Sequence, residues 1–165
     1  MVETPNPAFR FVRVDYVDPR AVALRAVMDE EMTERYHFPG DPPMSDTVAR
    51  ALAVDTAHIA ATVLVIDGTG DAIAHAALRR HGGEWEVKRV IVRGAARGRG
   101  AGRSLMTELE RIARSQGATR LILQCGDRQP EAVALYTGLG FTPIPVYEPY
   151  LSGIPNSLCF EKVLR

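Results

Sequence analysis

Between Glu86 and Met106 the chain passes from an apolar extended run, through a turn carrying three glycines, into an amphipathic helix. That order restricts the folds open to it. Gly98, Gly100 and Gly102 have no Cβ, so the backbone can curl with its N–H groups inward and approach an anion closely. The N–H groups that open the following helix point the same way and bring the positive end of its dipole, while Arg97, Arg99 and Arg103 add full charges. The stretch therefore reads as a phosphate cradle.

Three kinds of phosphate loop compete for this pattern. A Walker A loop requires Gly-Lys-Ser/Thr at the helix start, and here Arg103-Ser104 follows Gly102, which disfavours nucleotide triphosphate hydrolysis. A dinucleotide fingerprint counted from Gly98 and Gly100 wants a third glycine where Arg103 stands, and it opens a βαβ domain instead of lying past the middle of a chain. What remains is Arg-x-x-Gly-x-Gly, formed by Arg97, Gly100 and Gly102, after the run EVKRVIV.

A second block, PEAVALYTGLGF (Pro130 to Phe141), follows at a helix's distance and repeats an apolar-aromatic spacing through Ala132, Leu135, Tyr136, Gly140 and Phe141. In these two blocks, in this order, the chain resembles the GNAT superfamily of acyl-CoA-dependent N-acyltransferases. The resemblance runs from Glu84 to Phe141.

With 165 residues, 46% of them hydrophobic, the chain is expected to form one domain over 1–165. Twenty basic and twenty acidic residues give no net charge, so nothing global points to nucleic acid or an anionic membrane as partner. The absence of an 18-residue apolar run argues against a membrane span. Cys125 and Cys159 are too few for a disulfide framework and lie in apolar runs, so they read as small core residues of a cytoplasmic protein. His58, His75 and His81 show no metal-ligand spacing, and no metal is expected.

Along the chain, Pro7–Val17 alternates as a first strand. Asp18-Pro19 caps a helix whose apolar residues are Val22, Leu24, Val27, Met28 and Met32. His37–Asp46 reads as a loop over the site, followed by a short helix over 46–55. IAATVLVID and DAIAHAALRR form a hairpin around Gly68-Thr69-Gly70. The strand with Glu86 comes next, then a helix with a Leu105, Met106, Leu109, Ile112, Ala113 stripe stopped at Gly117. Thr119–Cys125 is a strand, a helix starts at Pro130, and two strands close the chain. The fold class expected is α/β (α+β): a central mixed, mostly antiparallel sheet of about seven strands with helices on both faces, the order that GNAT domains have.

Thioester-to-amine transfer needs a base for the amine, a donor for the carbonyl oxygen and an acid for the leaving thiolate. The resemblance implies acetyl-CoA as acyl donor and direct attack by the amine in a ternary complex. It places the cofactor on the backbone of Val90, Ile91 and Val92 and its pyrophosphate on Arg97, Gly98, Arg99, Gly100, Ala101, Gly102, Arg103 and Ser104. It makes Tyr136 the general acid and Glu86 the general base. Strand alternation puts Glu86 on one face with Lys88, Val90 and Val92. Two departures stand out. Gln129 replaces an asparagine that contacts the cofactor in many members, and Gln124 stands where ribosomal-protein alanine acetyltransferases have a glutamate base, which weakens a protein N-terminus as acceptor. Glu31, Tyr36 and His37 at the first helix's end, and Tyr147 in the late loop 146–156, are the expected acceptor contacts. The acceptor expected is a primary amine on a small molecule, with a homodimer compatible. Protein lysine or N-terminal acetylation, and a non-catalytic acyl-CoA sensor, are the alternatives.

Overall fold

The computed structural model describes residues 9–165. The first strand, β1, occupies Arg10–Val14, shorter than the expected run, whose Pro7 and Ala8 lie outside the described residues. Helix α1 follows at Pro19–Tyr36, with Asp18 accepting from the Arg20 N–H at 2.9 Å and Pro19 in the first turn, where its missing N–H costs nothing. Its buried residues are Ala21 and Leu24, and Val22 is exposed, contrary to the expected stripe. The face that packs is Ala21, Leu24 and Met28, spaced i, i+3, i+7, which leaves Val22 turned to solvent.

A short helix α2 (Asp46–Leu52), capped by the Ser45 side chain, leads through a 3-10 turn to the hairpin of β2 (Ile59–Ile66) and β3 (Ala72–His81). Strand β4 covers Glu84–Val92 and helix α3 Ala101–Ser115. The chain then forms β5 (Arg120–Cys125), α4 (Pro130–Gly138), β6 (Thr142–Ile144), a four-residue helix α5 (Tyr150–Gly153) and β7 (Leu158–Val163). The strands form one seven-stranded sheet in the order β1-β2-β3-β4-β5-β7-β6, antiparallel everywhere except β4 against β5. This is the mixed sheet the sequence led one to expect.

Helices lie on both faces. The α3 stripe of Leu105, Met106, Leu109, Ile112 and Ala113 packs with Val63, Val65, Leu78, Val87 and Leu123 in the larger core, which also holds Tyr136. On the other face Ala21 and Leu24 meet Leu64, Ile66 and Ile91. Helix α3 ends at Gly117 (φ 85°), with Ala118 N–H bonding the Ala113 carbonyl and Gly117 N–H that of Arg114, a Schellman stop.

Candidate functional site

Two interruptions of regular structure meet at the middle of the sheet. The parallel pairing of β4 with β5 covers Trp85 to Val87 and then ceases, so the two strands part beyond Val87. At the same place β4 bulges against β3: Ala77 pairs with Lys88 and His75 with Ile91, and Arg89 takes φ 55°. Among the described non-glycine residues, Arg89 is the one with positive φ. The extra residue reverses the strand's facing beyond it. Glu86, Lys88 and Ile91 therefore face α1, while Val90 and Val92 pack toward α3. The single face expected for Glu86, Lys88, Val90 and Val92 is corrected accordingly: simple alternation does not survive a bulge.

A buried polar bracket holds the bulge. Arg25 of α1 donates to His75 Nε2 at 2.9 Å, so the His75 proton sits on Nδ1, which donates to the Arg89 carbonyl at 2.7 Å. Burial pushes the His75 pKa down to about 4, which keeps the ring neutral, as this arrangement requires. The Arg89 side chain ties the bulge to the helices above, bonding Asp29 of α1 at 3.1 Å and the Leu52 carbonyl at the end of α2 at 3.3 Å.

Beyond β4, Gly98 (φ 79°) and Gly100 (φ 83°) shape the turn into α3, and a Cβ on either would stand in open space. The first intrahelical bond runs from Ser104 N–H to the Gly100 carbonyl at 3.0 Å, which leaves the N–H groups of Ala101, Gly102 and Arg103 ahead of it. Gly102 serves packing: a Cβ there would meet Leu135 at 3.3 Å and Val92 at 3.5 Å. Arg97 turns toward protein partners: it bonds the Val92 carbonyl and forks onto Glu31 at 2.6 and 2.8 Å. Arg103 lies near α4, 3.4 Å from a Cβ placed on Gly138. The Asp67 carboxyl is held below its ordinary range chiefly by the Thr69 hydroxyl, with Arg99 adding its charge. The loop offers a pyrophosphate the backbone N–H groups at a helix start, a donor set that fits the acetyl-CoA expected there.

Tyr136 is buried in the α3-side core, its ring 5.8 Å from that of Phe141 and 6.4 Å from that of Phe160. Among the described residues no group hydrogen-bonds its hydroxyl, and burial raises its pKa, so the phenol stays protonated at neutral pH.

Glu86 faces the opposite side, fully buried. Arg79, its partner across the β3–β4 hairpin, donates to Oε1 from Nε at 2.9 Å and also from Nη2, while Tyr147 donates to Oε2 at 2.5 Å. Lys88, next on that face, donates to the Tyr150 hydroxyl at 2.5 Å. Tyr150, like Tyr147, belongs to the late loop in which the sequence pointed to tyrosines walling an acceptor, whereas Arg79 is a functional candidate that sequence reasoning passed over. A signal was present: a two-residue Gly82-Gly83 turn sets Arg79 opposite Glu86.

The other expected acceptor residues separate. Glu31 pairs with Arg97, and His37 is exposed beyond α1, its backbone N–H closing on the Thr33 carbonyl. Tyr36 reaches the β5–α4 loop instead: its hydroxyl accepts from the Arg128 N–H at 2.8 Å and lies where a Cβ on Gly126 would be, beside the Gln129 side chain. Among the described residues no three His, Cys, Asp or Glu side chains form a metal site, and no helix is long and apolar enough to cross a membrane.

Comparison with known proteins agrees with this geometry. The family model for the Acetyltransferase (GNAT) family matches residues 24–141. An IAA acetyltransferase of Azospirillum brasilense is 40% identical over 88 residues, 53% of this chain and 57% of that protein. Glucosamine 6-phosphate N-acetyltransferase 1 of Oryza sativa subsp. japonica is 32% identical over 111 residues, 61% of this chain and 66% of that one. The chain thus spans less than two thirds of either curated relative. Among solved structures, a Klebsiella pneumoniae protein described as an acyl-CoA N-acyltransferase superposes with TM-score 0.77 at 26% identity, covering 97% of this chain and 100% of its own. A GNAT acetyltransferase of Elizabethkingia anophelis, which holds acetyl-CoA, shares the fold at TM-score 0.67 and 13% identity, covering 96% and 100%.

Proposed function

Because this chain belongs to the GNAT acetyltransferase family, whose model spans 24–141 of it, we propose that it transfers an acetyl group from acetyl-CoA to a primary amine of a small molecule. The observation that carries this reading is the opening of β4 from β5 at the Arg89 bulge, alongside the glycine-rich start of α3. Backbone groups of Val90, Ile91 and Val92 line the opening and can pair with an extended pantetheine. An N–H of this run polarises the acetyl carbonyl. Residues 97–104 and Gln129 hold the rest of the cofactor, which supplies a thioester whose thiolate can leave.

Tyr136 lies on the α3 side and gives its proton to the departing sulfur. Glu86 works from the other side through Tyr147: the amine's proton passes to the Tyr147 oxygen as the phenol's own proton moves to Oε2, 2.5 Å away. The neutral amine so formed attacks the thioester carbonyl, the C–N bond forms, the C–S bond breaks with the Tyr136 proton going to the sulfur, and the second proton lost by the nitrogen restores the Tyr136 phenol. The relatives' names support a small acceptor, since one is named for glucosamine 6-phosphate, an amino sugar.

Free-thiol release from acetyl-CoA across an amine panel tests the reading. Tyr147→Phe is the cleaner probe of the base, because Glu86→Gln leaves Arg79 buried without its counter-charge and destabilises the fold. Tyr147→Phe is expected to lower kcat by about 10²-fold with cofactor affinity unchanged. Cofactor binding without turnover on any amine would instead favour the sensor.

A further inference from the structure

Three charged side chains are buried side by side on the α1-facing side of β3 and β4, and their charges do not cancel. Arg79, Glu86 and Lys88 are 6%, 0% and 7% exposed. Arg79 and Glu86 neutralise one another through their forked contact. Among the described residues, no carboxylate lies within 4 Å of Lys88, whose ammonium meets the Tyr150 hydroxyl at 2.5 Å and stands 4.9 Å from the centre of that ring. The same hydroxyl also accepts from Arg79 at 3.4 Å, so two cations share one neutral oxygen. The other groups facing Lys88 are Arg89, which already pairs with Asp29, the more distant Glu86 carboxylate and the Cys159 thiol.

An ammonium taken out of water without a counter-ion is costly, and a fold keeps one only where something compensates it. Burial pushes the Lys88 pKa down to about 8, which leaves most of it charged at neutral pH. Its place in the fold indicates where compensation comes from. Lys88 is the first residue of β4 beyond the stretch paired with β5, and it faces the side opposite the α3 cofactor loop. Glu86 and Tyr150 are fully buried, and Lys88 nearly so.

Resting on the acetyl-transfer reading, we propose that the acceptor is an amine that also carries an anionic group, a carboxylate or a phosphate, and that Lys88, positioned by Tyr150, binds that group. Tyr147, on the Glu86 carboxylate, has its ring 5.4 Å from that of Tyr150. A compact acceptor can present its amine to Tyr147 and its anion to Lys88. Lys88 is then a specificity residue, separate from the Glu86 relay.

The test uses matched acceptors: phenylalanine against phenylalanine amide, and glucosamine 6-phosphate against glucosamine. Calorimetry on the full chain saturated with CoA measures their affinities without requiring any acetyl transfer. The anionic member of one pair is expected to bind at least about tenfold more tightly, and which pair responds distinguishes carboxylate from phosphate. Lys88→Met should erase the preference while raising the melting temperature, and Lys88→Arg should retain it. Equal binding of neutral and anionic members, binding by none of the four, or a preference that survives Lys88→Met overturns the proposal. A preference present without acetylation of any amine overturns the acetyl-transfer reading alone. Equal acetylation and binding of neutral amines overturns the anion site alone.

Discussion

Tyr136 belongs to a spacing that first of all ends a helix. Gly140 takes φ 91°, its N–H bonds the Thr137 carbonyl, and the Phe141 N–H bonds the Tyr136 carbonyl, with the two rings in contact. The Leu-Tyr and Gly-Phe of this block are thus a Schellman stop with its hydrophobic contact, and the phenol is held by that packing. Tyr136→Phe should therefore keep stability within about 1 kcal/mol, because no hydrogen bond from the hydroxyl to a described residue is lost, yet lower thiol release by about 10²-fold. Thermal unfolding and a thiol assay on one preparation separate the two effects. His75 makes a different claim. Its pKa is depressed, so the neutral ring's stabilisation is fully present above the ordinary histidine value of 6.5 and is lost as pH falls toward about 4. Stability should decline over that window by roughly 3 kcal/mol more in the wild type than in His75→Gln, as read from urea midpoints. The family resemblance singled out Glu86 and Tyr136 in the sequence, and both side chains are buried. The bracket of Arg25 and His75 was not legible there, since its members lie far apart in the chain and meet only through the sheet.

At the scale of elements, the glycine-rich turn, the α3 stripe and its stop could be read directly, because each follows from local geometry. Leu109 sits fully buried in that stripe, and Leu109→Ala should cost about 2–5 kcal/mol, measured by denaturant unfolding. The turn itself makes a separable prediction. A Cβ at Gly100 meets no protein atom, so Gly100→Val strains the positive φ by about 1–2 kcal/mol but stands where a phosphate would approach. Calorimetry should show acetyl-CoA affinity falling far more than stability does, and unchanged affinity would count against the cradle. The bulge was not legible. Glu86 to Val92 alternates smoothly enough to read as a plain strand, and the strain at Arg89 is fixed by partners on β3, α1 and α2. Likewise α5 lies hidden in a Pro- and Gly-containing stretch, where Gly153 is needed because a Cβ there would come within 2.7 Å of Ala51 on α2.

The whole molecule is a sheet in two parts. Strands β1 to β4 form one and β5, β7 and β6 the other, joined where three residue pairs connect β4 to β5. Such a seam opens at one end for the cofactor, so the other end has to be held. Arg120, at the start of β5, bonds Glu84 of β4 at 2.6 and 3.0 Å and Glu161 of β7 at 2.7 Å, clamping three strands at the closed end. The Glu84 carboxyl is drawn below its ordinary value first by the Arg120 hydrogen bond, so this contribution is present above about pH 4.5 and is lost as pH falls further. The clamp is partly exposed, with side chains 37%, 35% and 26% accessible, and its worth in water is correspondingly small. Arg120→Met should thus lower global stability by no more than about 1 kcal/mol, with the difference shrinking in high salt. Its larger effect falls on the seam. Hydrogen exchange should quicken at the β4–β5 amides of Trp85 to Val87 in the variant, while the β2–β3 hairpin keeps its protection. Uniform loss of protection across both parts would mean that the seam is not a separate hinge and that the sheet opens as one unit.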